Sequence, residues 1–239
     1  MSYENLQLLI NGEWRNEIAE KFEAVFNPAT GETLGHLPHA TQSDLDLALS
    51  SSKEGFEVWR NTTAIERQNI MEKAARLLED RHEEIAKNLT SEMGKPITES
   101  RAELSVSIGV LRWYAEEGKR AYGRVIPSRM PDVRQLMIKE PVGPAIAFVA
   151  WNFPALNVMR KVAGALAAGC SIVIKASEET PATCIAIGRA LTDAGLPAGV
   201  LNIVFGVPDE VSRNLIASPV PRKVSFTGST PIGLSLIHI

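Results

Sequence analysis

Cysteine is scarce: Cys170 and Cys184 are the only two in 239 residues, too few for a disulfide framework or a thiolate metal cluster. Both sit among apolar neighbours. Neither has the basic residue or helix start that lowers a thiol pKa, so both read as packing residues rather than nucleophiles. No apolar run reaches the roughly 18 residues of a membrane-spanning helix. The opening Met1-Ser2-Tyr3-Glu4-Asn5 has neither a basic segment followed by an apolar stretch nor an arginine-rich transit character, which predicts a cytoplasmic protein. The formal net charge is only −3, leaving no basic excess to attract nucleic acid. A Gly-x-Gly-x-x-Gly turn is also missing.

What is present suits a soluble mixed α/β chain, with 45% hydrophobic and 22% charged residues and a length for one large domain or about two small ones. Leu8-Leu9-Ile10-Asn11-Gly12-Glu13-Trp14 places an Asn-Gly turn between apolar runs and predicts a hairpin. Three helices follow. In the first, Leu45, Ala48, Leu49, Ser52, Phe56 and Trp59 share a face, with Thr41 as N-cap ahead of Asp44 and Asp46. The second carries Ile70, Ala74, Leu77, Leu78, Ile85 and Leu89 and stops at Gly94 with Pro96 beyond. The third runs from about Thr98 to Gly118, with Leu104, Ile108, Leu111 and Ala115 inward. Residues 124–127 and 134–139 then predict a projecting β-hairpin.

After Val142 the pattern alternates strand, helix, strand, as in a parallel sheet with crossover helices. Strands are expected at 145–149, 171–175, 200–204 and 223–226, with helices starting near Pro154, Thr180 and Asp209. The most telling unit is the first: Ala145-Ile146-Ala147-Phe148-Val149 runs into Ala150-Trp151-Asn152-Phe153-Pro154. A Pro just after an Asn at a strand's carboxyl end starts a helix and leaves the Asn amide at the crevice where open α/β sheets bind ligands. On the residues alone, Asn152 also reads as a helix cap. Lys175-Ala176-Ser177-Glu178-Glu179-Thr180-Pro181 ends the next strand, and Phe226-Thr227-Gly228-Ser229-Thr230 the last.

Together with Ala163-Gly164-Ala165-Leu166-Ala167-Ala168-Gly169-Cys170, these segments resemble the aldehyde dehydrogenase superfamily, and in particular its succinate-semialdehyde dehydrogenase-like members. The resemblance spans residues 6–233 and covers the family's amino-terminal half. It implies an α/β fold: a Rossmann-like parallel sheet with flanking helices, the cofactor domain, plus a projecting β-hairpin, with the catalytic domain absent. Residues 1–122 and 142–233 would form the NAD-binding domain. Residues 123–141 would be an oligomerisation hairpin of a homodimeric or homotetrameric parent. A plain surface hairpin fits the same residues equally well.

The resemblance further implies that Asn152 donates to the oxyanion formed when a thiolate adds to an aldehyde, a role suited to a neutral amide. Cofactor contacts would come from Val149, Ala150, Trp151, Asn152, Lys175, Ser177, Glu178, Phe226, Thr227, Gly228, Ser229, Ile232 and Gly233. Glu178 at the adenosine ribose would repel a 2′-phosphate and favour NAD, while Lys175 tolerates NADP. Glycine at 228 lets backbone amides approach a pyrophosphate at a helix start. Pro208 stands where the family often has a second Gly after Gly206.

Arg160, six residues after Pro154, marks the substrate. In the resembled enzymes an Arg here binds the distal carboxylate of a semialdehyde such as succinate semialdehyde, which suits its planar fork; a surface Arg beside Lys161 is the plain alternative. The family's general-base Glu and nucleophilic Cys are absent after Gly233. Leu234-Ser235-Leu236-Ile237-His238-Ile239 reads instead as an adapter-derived, non-native tail, so His238 is not expected to act as a base. The chain is thus expected to be an inactive piece of an NAD(P)-dependent enzyme with a small-molecule aldehyde substrate. A non-catalytic dinucleotide-binding module and an enzyme for uncharged aldehydes are the alternatives.

Overall fold

The computed structural model describes residues 3–16 and 21–237; His238 and its expected inactivity lie outside them. Its centre is a six-stranded sheet in the order β10-β7-β8-β9-β1-β2. Strands β7 (Ala145–Phe148), β8 (Ile172–Lys175), β9 (Leu201–Val204) and β10 (Lys223–Phe226) are parallel. All twelve residues of β7, β8 and β9 are buried, as in a sheet covered on both faces. The crossover helices are α5 (Pro154–Ala167), α6 (Pro181–Ala194) and α7 (Pro208–Ala217), and α8 (Thr230–Ile237) follows β10. Proline opens α5, α6 and α7, where its missing N–H costs nothing and its φ is already helical.

The amino-terminal hairpin is β1 (Leu8–Ile10) and β2 (Glu13–Arg15). Asn11 (φ 54°) and Gly12 (φ 78°) both take left-handed backbone, as a two-residue turn matching strand twist requires. β1 then pairs antiparallel with β9. Asn202, fully buried in β9, fixes the junction: its Oδ1 accepts from the Asn11 N–H (2.9 Å) and Ser51 Oγ (3.0 Å), and its Nδ2 donates to Gly199 O (3.0 Å).

Four helices, not three, precede the parallel sheet: α1 (Gln42–Arg60), α2 (Ala64–Asp80), α3 (His82–Met93) and α4 (Ile97–Glu117). Thr41 caps α1 in a reciprocal box with Asp44, as its position predicts. The expected second helix divides at Arg81, where no Gly or Pro marks the break. Arg81 instead leaves helical geometry (φ −98°, ψ 8°) and reaches Asp193 Oδ2 at 2.6 Å, a partner invisible to local periodicity. A second hairpin, β3 (Phe22–Phe26) with β4 (Thr33–Pro38), was not anticipated. Its burial is irregular, so it lacks the alternation that announces a strand. The projecting hairpin is β5 (Arg124–Ile126) with β6 (Gln135–Met137). No described helix is long and apolar enough to cross a membrane.

Two buried carboxylates join the first half of the chain to the second. Glu103 of α4 accepts from the Ala155 and Leu156 amides (2.9 and 3.1 Å) at the start of α5. Glu92 of α3 accepts from the Ala182 and Thr183 amides (2.8 and 3.0 Å) at the start of α6, and from the Thr183 and Tyr3 hydroxyls (2.5 and 2.7 Å). Neither α5 nor α6 has a side-chain cap of its own. These carboxylates satisfy amides that would otherwise be buried without partners, and each suits the positive end of its helix.

Burial pushes the Glu92 carboxyl from an ordinary 4.5 up to about 7, against the opposing pull of its four donors. Between those two values the native state holds a proton that the unfolded chain has released. The contribution of this group therefore falls as pH rises from 4.5 to 7 and is level above that range. Glu92→Gln carries no such proton. Its unfolding free energy relative to wild type should climb by about 1–3 kcal/mol across that window, read by urea unfolding at successive pH values. A difference independent of pH would mean that the four donors fully offset burial.

Candidate functional site

The loops leaving β7, β8, β9 and β10 meet at the carboxyl edge of the sheet, where open α/β sheets carry their ligand crevice. They enclose a cleft of about 440 Å³. From the β7 loop it takes Val149, Ala150 and Trp151, and from the β8 loop Lys175, Ser177 and Glu178. Phe226, Thr227, Gly228, Ser229 and Ile232 complete its far wall. Of the residues expected to contact a cofactor, Asn152 and Gly233 do not line it. The Gly233 N–H is spent on Ser229 O inside α8.

Sequence reading missed Pro208, Asp209 and Ser212, which bring the first turns of α7 to the cleft. The signal was the Pro208 start itself, which aims three residues of a helix at the same crevice. Lys161 was also missed. Its Nζ donates to Thr227 Oγ1 at 2.7 Å, tying α5 to the loop after β10. Burial, then the neighbouring Arg160 charge, lowers the Lys161 pKa.

Lys175 and Glu178 form a buried ion pair, Nζ to Oε2 at 2.5 Å. Glu178 Oε1 also accepts from the Gly206 N–H at 3.0 Å. A carboxylate has about four acceptor positions, so Glu178 keeps acceptors for sugar hydroxyls while Lys175 balances its charge. Ser177 donates its hydroxyl to Glu179, which also lines the cleft. Gly228 is fixed by crowding: a Cβ there would lie 2.4 Å from the Phe226 ring. The bare, exposed backbone at 228 lies two residues before the start of α8, a setting in which amides and helix dipole both suit a phosphate. Diol acceptors at one side and an open peptide at a helix start at the other fit a dinucleotide.

Asn152 follows directly on the cleft residue Trp151 and is exposed. Asn157 fixes its orientation. The Nδ2 of Asn157 donates to Ala150 O (3.4 Å) and to Asn152 Oδ1 (3.3 Å), so the Asn152 amide oxygen faces inward. Its NH₂ group makes no hydrogen bond with the described residues. Nothing in the sequence singled out Asn157, because its role depends on an amide five positions back across the helix start. Arg160 lies further along α5, exposed, outside the cleft lining and without a hydrogen bond or ion pair among the described residues.

No thiol enters the cleft. Cys170 and Cys184 are free and buried, and burial pushes the Cys184 thiol pKa up, away from the reactive thiolate.

Residues 14–239 match the profile of the aldehyde dehydrogenase family. The chain is 49% identical over 233 residues to 4-(hydroxymethyl)benzenesulfonate dehydrogenase TsaD1 of Comamonas testosteroni, covering 98% of this chain and 49% of that protein. It is 40% identical over 232 residues to the NADP(+) succinate-semialdehyde dehydrogenase GabD of Escherichia coli (strain K12), 97% of this chain and 48% of that one. The crystal structure of succinate-semialdehyde dehydrogenase from Burkholderia pseudomallei superposes with a TM-score of 0.96 at 38% identity, over 98% of this chain and 49% of that chain. The chain thus spans about half the length of the relatives it matches.

Burial of both thiols gives a direct check. A disulfide exchange reagent such as DTNB should modify neither cysteine in the folded chain over minutes, and both once guanidinium unfolds it. Fast reaction of one thiol under native conditions would reopen it as a nucleophile.

Proposed function

The chain belongs to the aldehyde dehydrogenase family, and from that premise we propose that the whole protein oxidises an aldehyde bearing a distal anionic group to its carboxylic acid, with NAD preferred over NADP. The observation that carries this reading is the Asn152 amide, pinned by Asn157 with its NH₂ unengaged beside the cleft.

Addition of a nucleophile to an aldehyde carbon turns the carbonyl oxygen into an oxyanion. A fixed neutral donor at that point binds the charge more strongly than the starting carbonyl, which is the condition for acceleration. Asn152 supplies that donor. The thiolate nucleophile and general base that the family uses are assigned to the part of the protein that this chain does not span. Lys175, Glu178 and the open backbone at Gly228 would hold the dinucleotide, which when bound accepts a hydride. At the sugar Glu178 would offer acceptor oxygens, to which a 2′-hydroxyl donates and a 2′-phosphate does not, hence the preference for NAD.

Arg160 carries the substrate class. It is an exposed guanidinium without a hydrogen bond or ion pair among the described residues, on the helix that Asn152 precedes, and its planar fork suits a carboxylate or a sulfonate. One relative is named for a benzenesulfonate and another for succinate semialdehyde, both with an anion remote from the oxidised carbon. The β5–β6 hairpin, with exposed Val125 and Leu136, is assigned to subunit assembly.

Calorimetric titration of the 239-residue chain tests the cofactor reading. Saturable NAD binding is expected, with NADP at least about tenfold weaker; a folded chain that binds neither would refute it. In the whole protein, Arg160→Gln should raise KM for succinate semialdehyde about 10–100-fold, the loss of one charged hydrogen bond, and leave KM for an uncharged aldehyde unchanged. Equal effects on both substrates would remove Arg160 from anion recognition.

A further inference from the structure

The starts of α5 and α6 are anchored by the same device with one difference, and that difference falls on Asn152. At α6, Glu92 caps the first amides, and none of its partners among the described residues is a cation. At α5, Glu103 caps Ala155 and Leu156 in the same way, yet an ammonium is buried beside it. Lys95 Nζ lies 2.5 Å from Glu103 Oε2, 3.2 Å from the backbone oxygen of Asn152 and 4.3 Å from the centroid of the Phe153 ring.

Capping alone does not call for Lys95, as α6 demonstrates. Taking an ammonium out of water costs several kcal/mol, and what Lys95 holds in return is the pair Asn152-Phe153. All three of its directions are used, on a carboxylate, a peptide oxygen and the face of an aromatic ring. Asn152 is therefore gripped twice, its backbone by Lys95 and its side-chain oxygen by Asn157. Lys95 itself is set in the short turn between Gly94 (φ 86°), which ends α3, and Pro96, which precedes α4.

We infer that Lys95, through its pair with Glu103, is a positioning residue that fixes the Asn152 amide for oxyanion stabilisation; the inference rests on the oxyanion role proposed above. Lys95 touches no reacting atom. Its removal lets the residue-152 peptide move, and a displaced donor no longer meets the developing charge. The loss therefore falls on kcat rather than on KM.

The test compares Asn152→Ala, the double variant Lys95→Met with Glu103→Gln, and their combination in the whole protein. Thermal unfolding, kcat and KM for succinate semialdehyde are measured for each. The neutral pair leaves no lone charge, and the Gln oxygen still accepts from the Ala155 and Leu156 amides. The expected result for the folded double variant is a kcat at least about tenfold lower, with KM within about threefold, and no further loss when Asn152→Ala is added. A kcat within about twofold of wild type overturns the inference, as do losses that multiply independently. Should the double variant not fold, Lys95→Met alone, which removes the donor to the Asn152 carbonyl while Glu103 keeps its two amides, decides by the same combination: non-additive loss with Asn152→Ala supports the inference, and a kcat within about twofold of wild type or a multiplicative loss overturns it. If Asn152→Ala alone leaves kcat intact, the oxyanion reading fails and the inference falls with it, an outcome distinct from failure of the Lys95 arm.

Discussion

Helices that begin inside a protein leave their first amides without partners, and in this chain two glutamates from distant helices supply them. Glu103 and Glu92 reach the starts of α5 and α6 across separations of 52 and 90 residues. Because each carboxylate takes two consecutive amides, it sets where its helix begins and which way the preceding loop turns. The cleft is bounded by those loops. The helices of the first half are therefore not a cover added to a finished sheet: they fix the shape of its carboxyl edge.

Within that frame the cleft divides its work by chemistry. The Lys175–Glu178 pair presents acceptors whose charge is already balanced. Opposite, the bare backbone at Gly228 rests on the Phe226 ring, and Lys161 ties that wall to α5 through Thr227. Asn152 lies two residues before the start of the same α5, so a single helix links that amide to the wall of the cleft further along. That coupling is consistent with a family in which addition at an aldehyde and transfer to a cofactor must occur within one crevice.

Features set by neighbours in sequence could be read without the structure. The Asn-Gly turn at 11 and 12, the Thr41 cap, the Pro154 helix start and the four parallel strands all rest on local rules of backbone and pattern. The expected strand order placed the Asn152, Lys175 and Gly228 loops at one edge of the sheet, while the roles given to them came from the family resemblance. Features fixed by remote partners were not legible. The break at Arg81 has no Gly or Pro to mark it, Glu92 and Glu103 look like ordinary helix-surface acids, and Lys95 resembles any lysine in a turn. Asn157 acquires meaning only when the loop before it folds back within reach of its amide. The residues that position the site were harder to see than the residues that form it.

The buried Asn202 junction bears on the order in which the chain can fold. Asn11 and Asn202 are 191 positions apart, and β1, paired with β2 on one side, finds its other neighbour in β9. A polypeptide emerging from a ribosome presents the first hairpin at once, but the strand that completes its edge appears after about 190 further residues have been made. Until then β1 shows an unpaired apolar edge, the kind of surface on which strands of other chains add. Closure of this sheet edge thus waits on a strand made long after the hairpin, and in the interval a chaperone has an apolar edge to shield.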